Sequence, residues 1–321
     1  MGAIYAPKED LMILVVGSAN LDFVVRASHI PSPGETVMGH GFQTFPGGKG
    51  ANQAVACARA GGAKTHMLAA MGADAFAPPI EASLREAQVA LHVVRVPEQA
   101  TGTAFICVSD EGENAITVAP GANNALEPHH LPPLQGFSHL LLQLETPLPT
   151  VTACARAARA QGVSVVLNAA PAQVLPQELL ALVDILVVNE GELASVSGHN
   201  GSIAQCLERI AVPTVVVTLG HRGCCARHHG EFLVQKAFEI TPVDTTAAGD
   251  TFCGTLVAAL SQGADLSQSL RLASAAGALA CTRPGAQSSI PQAAEVASLL
   301  AMAAPTSDTE RAALRQFCGL A

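Results

Sequence analysis

The sequence predicts a three-layer α/β/α sandwich with a mostly parallel central sheet and a small separate β-sheet that acts as a lid. Three features point to it. From about residue 138, short Val/Ile/Leu-rich runs alternate with helical patterns, the rhythm of a parallel sheet covered on both faces. The first strand, 11–16, is a continuous apolar run closed by Gly17, as a doubly buried strand requires. Four further strands in the first 120 residues are more polar and alternate, as suits a sheet with one wet face.

Taken in order, segments 22–26 and 36–45 read as lid strands separated by the turn Pro31-Ser32-Pro33-Gly34. A helical pattern starts at Gly50 and closes at Gly61-Gly62. Residues 65–70 form a strand and 77–87 a helix. Val15-Val16 and Met67-Leu68 belong to the main sheet, whereas 103–109 and 115–118 pair across Asp110-Glu111-Gly112-Glu113 as a lid hairpin. Strands at 139–144, 163–168, 185–188 and 214–218 then alternate with helices at 149–161, 176–182, 191–196 and 202–210. Edge strands follow at 222–227 and 232–234, then Ala-rich helices at 248–262 and 267–282. A helix at 291–302, a loop at 303–308 and a short helix at 310–317 close the chain. The expected organisation is one domain over 11–303, its lid strands drawn from 20–45 and 101–119, and an extension over 304–321.

Bulk properties narrow the function. The chain has 321 residues, 49% of them hydrophobic, enough for a large core. Net charge is -9 and no basic patch stands out, which argues against nucleic acid as a partner. The nine cysteines are odd in number and mostly lie in apolar runs, the pattern of a reducing compartment. Residues 1–10 resemble neither a signal nor a transit peptide, and no apolar run reaches the ~18 residues of a membrane helix. A soluble, cytoplasmic protein is expected.

The chemistry concentrates in two glycine-bearing stretches. In Thr245-Thr246-Ala247-Ala248-Gly249-Asp250-Thr251-Phe252, small residues lead into a helix whose first amides and dipole suit a phosphoryl group. The hydroxyls of Thr245 and Thr246 suit the cap. That leaves Asp250 as an acid beside an anion hole, placed to take a proton from an attacking hydroxyl. Far upstream, Gly47-Gly48-Lys49-Gly50-Ala51-Asn52 lies at a strand-to-helix turn where glycines permit close ligand approach and Lys49 and Asn52 supply donors. It is not a Walker A loop, because Gly50 follows Lys49, and Gly17-Ser18-Ala19-Asn20 is not a dinucleotide fingerprint.

Other candidates sit at strand ends, where open α/β sheets bind ligands. Asn20 and Asp22, two apart, share a face of an extended segment and suit vicinal sugar hydroxyls; an Asx turn is the plainer reading. Glu145, and Glu190 and Glu192 in Asn189-Glu190-Gly191-Glu192, suit a hydrated Mg²⁺; for the last two, first-turn dipole complementation reads as well. Thr218-Leu219-Gly220-His221-Arg222-Gly223 suits phosphates or a ribose, or is a bare turn. Two loops, one around Asp244 and Thr246 and one around Arg283-Pro284-Gly285-Ala286 with Ser288-Ser289, have carbonyls to offer a monovalent cation. His129-His130 and His228-His229 read as exposed histidines, and Cys224-Cys225 as strand packing.

These residues resemble the ribokinase family, within the PfkB-type carbohydrate and nucleoside kinases, over about 11–300. One family signature resembles Pro46-Gly47-Gly48-Lys49-Gly50-Ala51-Asn52-Gln53, the other Asp244 to Phe252. Gly17-Ser18-Ala19-Asn20-Leu21-Asp22, Pro33-Gly34-Glu35-Thr36, Glu111-Gly112-Glu113-Asn114 and Leu144-Glu145-Thr146-Pro147 favour ribokinases over their relatives.

The resemblance implies ATP-dependent phosphorylation of the D-ribose 5-hydroxyl. Asp250 would be the base, and the amides of Ala247, Ala248 and Gly249 the anion hole. Asn20, Asp22, Gly48, Lys49, Asn52, Glu145 and Asp250 would hold sugar. Asn189 and Glu192 would place Mg²⁺ and phosphate, with Glu192 acting on the metal indirectly. Thr218, Gly220, Gly223, Gly249 and the position of Ser274 would line the nucleotide site. Asp244, Thr246, Arg283, Gly285 and Ser289 would hold K⁺, several through carbonyls. A homodimer through the lid is implied. The chain departs from the family pattern at Ser274 (often His), Cys253 (often Asn) and Pro284 (often polar).

A related acceptor, 2-deoxyribose, another sugar or a nucleoside, is the alternative. A nucleoside would want stacking aromatics in the lid, yet the chain has no Trp, a single Tyr5, and only Phe42 and Phe45 nearby. A non-catalytic sensor would be expected to lack Asp250, Gly249 or Lys49, and all three are present.

Overall fold

Strand β1 (Met12–Val16) shows why the sheet is covered twice: Leu14 and Val16 point into one core, Ile13 and Val15 into the other, all at most 1% exposed. The computed structural model describes residues 11–320, so the leader reading of residues 1–10, and Tyr5, lie outside the described residues. From β1 the chain enters β2 (Asn20–Ala27) and β3 (Gly41–Gly47), then α1 (Lys49–Arg59), β4 (Thr65–Met71), α2 (Ala77–Glu86) and β5 (Ala90–Arg95). Next come β6 (Gly102–Ser109), β7 (Asn114–Ala119), β8 (Phe137–Leu142), α3 (Leu148–Ala160), β9 (Ser164–Asn168) and α4 (Gln177–Leu180). They are followed by β10 (Ile185–Asn189), α5 (Glu190–Ser197), α6 (Ile203–Glu208), β11 (Thr214–Thr218), β12 (Gly223–His228) and β13 (Glu231–Lys236). Helices α7 (Ala248–Ser261), α8 (Leu266–Ala280), α9 (Ala293–Met302) and α10 (Asp308–Cys318) complete it.

The large sheet runs β13-β12-β11-β10-β9-β8-β1-β4-β5, parallel from β11 to β5, with β12 antiparallel to both β11 and β13. Val15 faces Met67 and Val16 faces Leu68 in the β1–β4 ladder. Helices α1, α7 and α8 fill one face, and α3, α5 and α6 the other. The lid is a four-stranded sheet, β3-β2-β6-β7, with β2 and β6 parallel and the outer pairs antiparallel. Sheet order reverses at β1, so strand ends on either side of it splay and open the crevice where ligands bind.

Three expectations need correction. The second lid strand does not begin at residue 36: Gly34 (φ 85°) and the exposed stretch after it form a loop, and pairing with β2 starts only at Gly41. The helix expected over 176–182 is a single turn, Gln177–Leu180, set behind Pro176. Strand β5 was not anticipated. Its residues pair with β4 at the sheet edge, Leu91 and Val93 against one core and Val94 against the other, so partial burial on both faces leaves no alternation to read. Among the described residues no helix is long and apolar enough to cross a membrane.

Candidate active site

The turn between β3 and α1 is built on backbone contact. Gly48 has φ 88°, and a Cβ there would stand 2.8 Å from the Asn20 amide nitrogen. A Cβ on Gly47 would come within 2.1 Å of Asp22 Oδ2. The glycines thus let the turn lie directly against β2, and the helix that follows brings the Lys49 N–H to Glu145 and Asn52 to Asp250. Ser18 ties the turn down: its Oγ donates to Glu145 Oε2 (2.5 Å) and accepts from the Gly50 N–H (3.3 Å), while its carbonyl accepts from Ala51. Glu145 Oε2 also accepts the Lys49 N–H (3.1 Å). Asn123 Nδ2 donates to Asn20 Oδ1 (2.8 Å), which leaves the Asn20 donor group for a ligand.

Asp250 sits in the first turn of α7 and is 8% exposed. Its Oδ2 accepts from Asn52 Nδ2 and its Oδ1 from Gln53 Nε2, both at 2.9 Å. Gln53 cannot turn away, because it also donates to Asn168 Oδ1 (2.9 Å) and its Oε1 accepts from Gln143 Nε2 (2.6 Å). The start of α7 differs from expectation. Neither threonine caps it: Ala247 is the cap residue, in the left-handed region (φ 59°), and no side chain accepts its amides. Thr246 donates both its N–H and hydroxyl to Asp244 Oδ1 instead. The Ala248 N–H turns back to the Thr245 carbonyl (3.3 Å), whereas no acceptor faces the amides of Ala247 and Gly249 among the described residues. An uncapped helix start of this kind is where an anion is stabilised.

A cleft of about 230 Å³ opens beside Asp250, lined among others by Lys49, Asn168, Asn189, Glu192, Thr218, Ala247 and Gly249. Asn189 and Glu192 form a reciprocal cap on α5, Asn189 N–H to Glu192 Oε2 and Glu192 N–H to Asn189 Oδ1, each 2.8 Å. Burial raises the Glu192 pKa, opposed by the Asn189 N–H and Lys49. Burial likewise opposes charge on Lys49, but the carboxylates of Asp250, Glu145 and Glu192 outweigh it and hold the ammonium charged. Asp22 is pushed up to about 7, by desolvation first and then by the nearby Glu145 and Asp250.

The structure does not gather every expected residue at the cleft. Ser274 is 9% exposed on α8 and faces Cys224 (Oγ to Sγ 3.7 Å), away from the cleft lining. Gly220 and Gly223 follow the lining residue Thr218 in the turn after β11, Gly223 closing it at φ 114°. The two loops expected to hold a cation are joined by Asp244, whose Oδ2 accepts the Gly285 N–H (2.9 Å). Burial alone would raise the Asp244 pKa, but the bonds from Thr246 and Gly285 bring it below the usual value. The Arg283 side chain leaves the loop to pair with Glu295, and Ser289 Oγ donates to the Ala286 carbonyl. Gln53, Asn123, Gln143 and Asn168 were not singled out by their own chemistry. The usable signal was a polar residue inside or ending an apolar run, as in Leu140-Leu141-Leu142-Gln143-Leu144 and Val165-Val166-Leu167-Asn168.

A crevice at a sheet reversal with a buried carboxylate on an uncapped helix start suits phosphoryl transfer to a hydroxyl. The chain belongs to the pfkB family of carbohydrate kinases, whose model matches residues 10–293. It is 40% identical over 291 residues to a ribokinase of Haemophilus influenzae, spanning 87% of this chain and 95% of that one. A ribokinase structure from Thermotoga maritima superposes with TM-score 0.84 at 36% identity, covering 91% of this chain and 99% of the other. The Arabidopsis thaliana ribokinase complexed with ribose and ATP superposes with TM-score 0.83 at 31% identity, covering 92% and 99%.

Proposed function

We propose that the protein transfers the γ-phosphoryl group of ATP to the 5-hydroxyl of D-ribose, giving ribose 5-phosphate and ADP. The observation that carries this reading is Asp250, buried at an uncapped helix start with both oxygens held by Asn52 and Gln53. The sugar lies under the lid, gripped by Asn20, Asp22, Lys49, Asn52 and Glu145, with the Gly48 backbone in contact. Asp250 accepts the hydroxyl proton as that oxygen attacks phosphorus. The new P–O bond forms as the bond to the β-phosphate oxygen breaks, and ADP leaves with that electron pair. The free amides of Ala247 and Gly249 and the charged Lys49 offset the negative charge on the transferring group. The nucleotide extends past Asn189 toward Thr218, Gly220 and Gly223.

Glu192 lines the cleft while its Oε2 accepts the Asn189 N–H, which fits contact with the waters of a Mg²⁺ that arrives with the nucleotide and stays largely hydrated. When bound, it would neutralise phosphate charge. The Asp244-bridged loops support K⁺ as an activator, held through carbonyls, and Gly285 lies close enough to Phe45 of β3 for the loop to influence the lid. Exposed apolar chains on the lid, Phe42, Phe105, Ile116 and Val118, support a homodimer through that sheet.

ADP release from MgATP with D-ribose, 2-deoxyribose, D-fructose or adenosine tests the acceptor. Ribose is expected to be preferred and KCl to raise its rate. A faster rate with another acceptor would replace ribose while keeping Asp250 as base, and indifference to KCl would remove the cation from the Asp244 loops.

Asp22 makes the sugar site pH-dependent. Sugar hydroxyls donate to the ionised carboxylate, so binding favours loss of its proton. Affinity for ribose is expected to rise with pH up to about 7, by at most about tenfold per unit, and to level off above. Stability of the free protein moves the other way. The folded state holds this proton more tightly than the unfolded chain, so stability falls as pH rises from 3.8 to about 7. Titrating ribose by calorimetry at several pH values checks this, and Asp22→Asn should flatten both profiles.

A further inference from the structure

The matched family region ends at residue 293, yet the chain continues into α10, which is packed rather than loose. After α9 the backbone crosses the edge of the large sheet at β13, where Gln235 Nε2 donates to Thr306 Oγ1 (3.2 Å). Helix α10 then lies on β13: Lys236 Nζ donates to Glu310 (2.9 Å) and Arg315 to the Phe232 carbonyl (3.3 Å). Leu314, Cys318 and Leu320 sink into the core on that face, with Cys318 at 0% exposure.

The same helix reaches the turn after β11. The Phe317 ring lies 4.4 Å from the guanidinium carbon of Arg222, in cation–π geometry. Arg222 ends the short helical turn Gly220–Arg222, and Gly223 follows with its backbone against β13. A Cβ on Gly223 would stand 2.0 Å from the Gln235 carbonyl oxygen. The Ala237 N–H donates to the Arg222 carbonyl (3.3 Å). The turn is therefore pressed between the end of β13 and α10, and Thr218 at its start lines the cleft.

We propose that α10 is a buttress for the nucleotide side of the active site, with Phe317 as a positioning residue that holds the Gly220–Gly223 turn through Arg222. This rests on the placement of the nucleotide along Thr218 to Gly223 proposed above. Backbone bonds tie the turn to the end of β13 on one side, and the Arg222–Phe317 stack ties it to α10 on the other. Without the ring, the turn samples positions that no longer match the nucleotide, while the sugar pocket across the cleft is untouched.

The test uses the full chain with Phe317→Leu, Phe317→Tyr and, as a reference, Thr218→Val, each assayed for KM of MgATP, KM of ribose, kcat and thermal midpoint. For Phe317→Leu, the KM for MgATP is expected to rise about two- to fivefold, the scale of one exposed cation–π contact, with kcat and the ribose KM unchanged. Phe317→Tyr, which keeps a ring face, should restore the wild-type value. The buttress is refuted if Phe317→Leu leaves the KM for MgATP unchanged while Thr218→Val raises it. It is equally refuted if both KM values and kcat worsen together with the thermal midpoint, since that is general loosening. If neither Thr218→Val nor Phe317→Leu moves the KM for MgATP, the nucleotide placement falls and the buttress with it.

Discussion

Replacing Asp250 with asparagine is expected to lower kcat by about 10²- to 10⁴-fold, the range that a positioned general base contributes, while ribose still binds. The substitution preserves side-chain shape, so the effect isolates the proton acceptor. It also disturbs the local bonding in a definable way. Both carboxylate oxygens accept N–H groups, from Asn52 and from Gln53, and Gln53 is itself locked by Gln143 and Asn168. An asparagine amide must therefore point its NH₂ group either at the locked Gln53 donor or at Asn52, whose unpartnered Oδ1 accepts it only after that amide flips. That strain falls on the base and its neighbours, not on Asn20 or Glu145, so ribose affinity should change by only a few-fold. Rapid-quench turnover together with calorimetric titration of ribose separates the two effects. Turnover within tenfold of wild type would place the base elsewhere.

The second large effect is expected from Gly48→Ala. At φ 88° and ψ 132° the backbone is in a region that side chains rarely enter, which costs about 1–3 kcal/mol. The new methyl group would also stand 2.8 Å from the Asn20 nitrogen and 3.0 Å from the Ala19 Cα, both backbone atoms that cannot swing aside. The turn must then back away from β2, separating the Lys49 N–H from Glu145 and Asn52 from Asp250. A rise in the ribose KM of about tenfold or more is expected if the lost contact is worth ~1.4 kcal/mol, with a lower thermal midpoint. The KM for MgATP should move less, because the nucleotide end is built from β10, β11 and α7. An unchanged ribose KM would mean that the turn is a helix cap only.

Much of this enzyme is legible in its residues. The alternation of apolar runs with helical periods marks the parallel sheet because strands buried on both faces tolerate few polar side chains, and β1 is the clearest case. The lid strands announce themselves by alternation, and the two glycine-bearing stretches mark the tight turn before α1 and the uncapped start of α7 because close backbone approach and an open helix start demand small residues at those positions. What local patterns missed was set by distant contact. Strand β5 forms because β4 offers it an edge. Thr246 abandons the helix cap because Asp244 is nearer, and Ser274 is directed inward to Cys224 by the packing of α8 on β12.

The network that holds Asp250 joins residues from α1, β9, α7 and the end of β8, and Asn123, which orients Asn20, comes from yet another segment. A buried amide that donates to two partners declares its role only when both are in place. The sequence by itself thus determined the sheet, the small second sheet, the placing of Asp250 at a helix start and the glycine turns, since these depend on backbone geometry and local burial. The tertiary structure alone decided which buried amides hold the Asp250 carboxylate, which helix amides stay free, and that the C-terminal helix lies against the Gly220–Gly223 turn, since each requires groups far apart in the chain to meet.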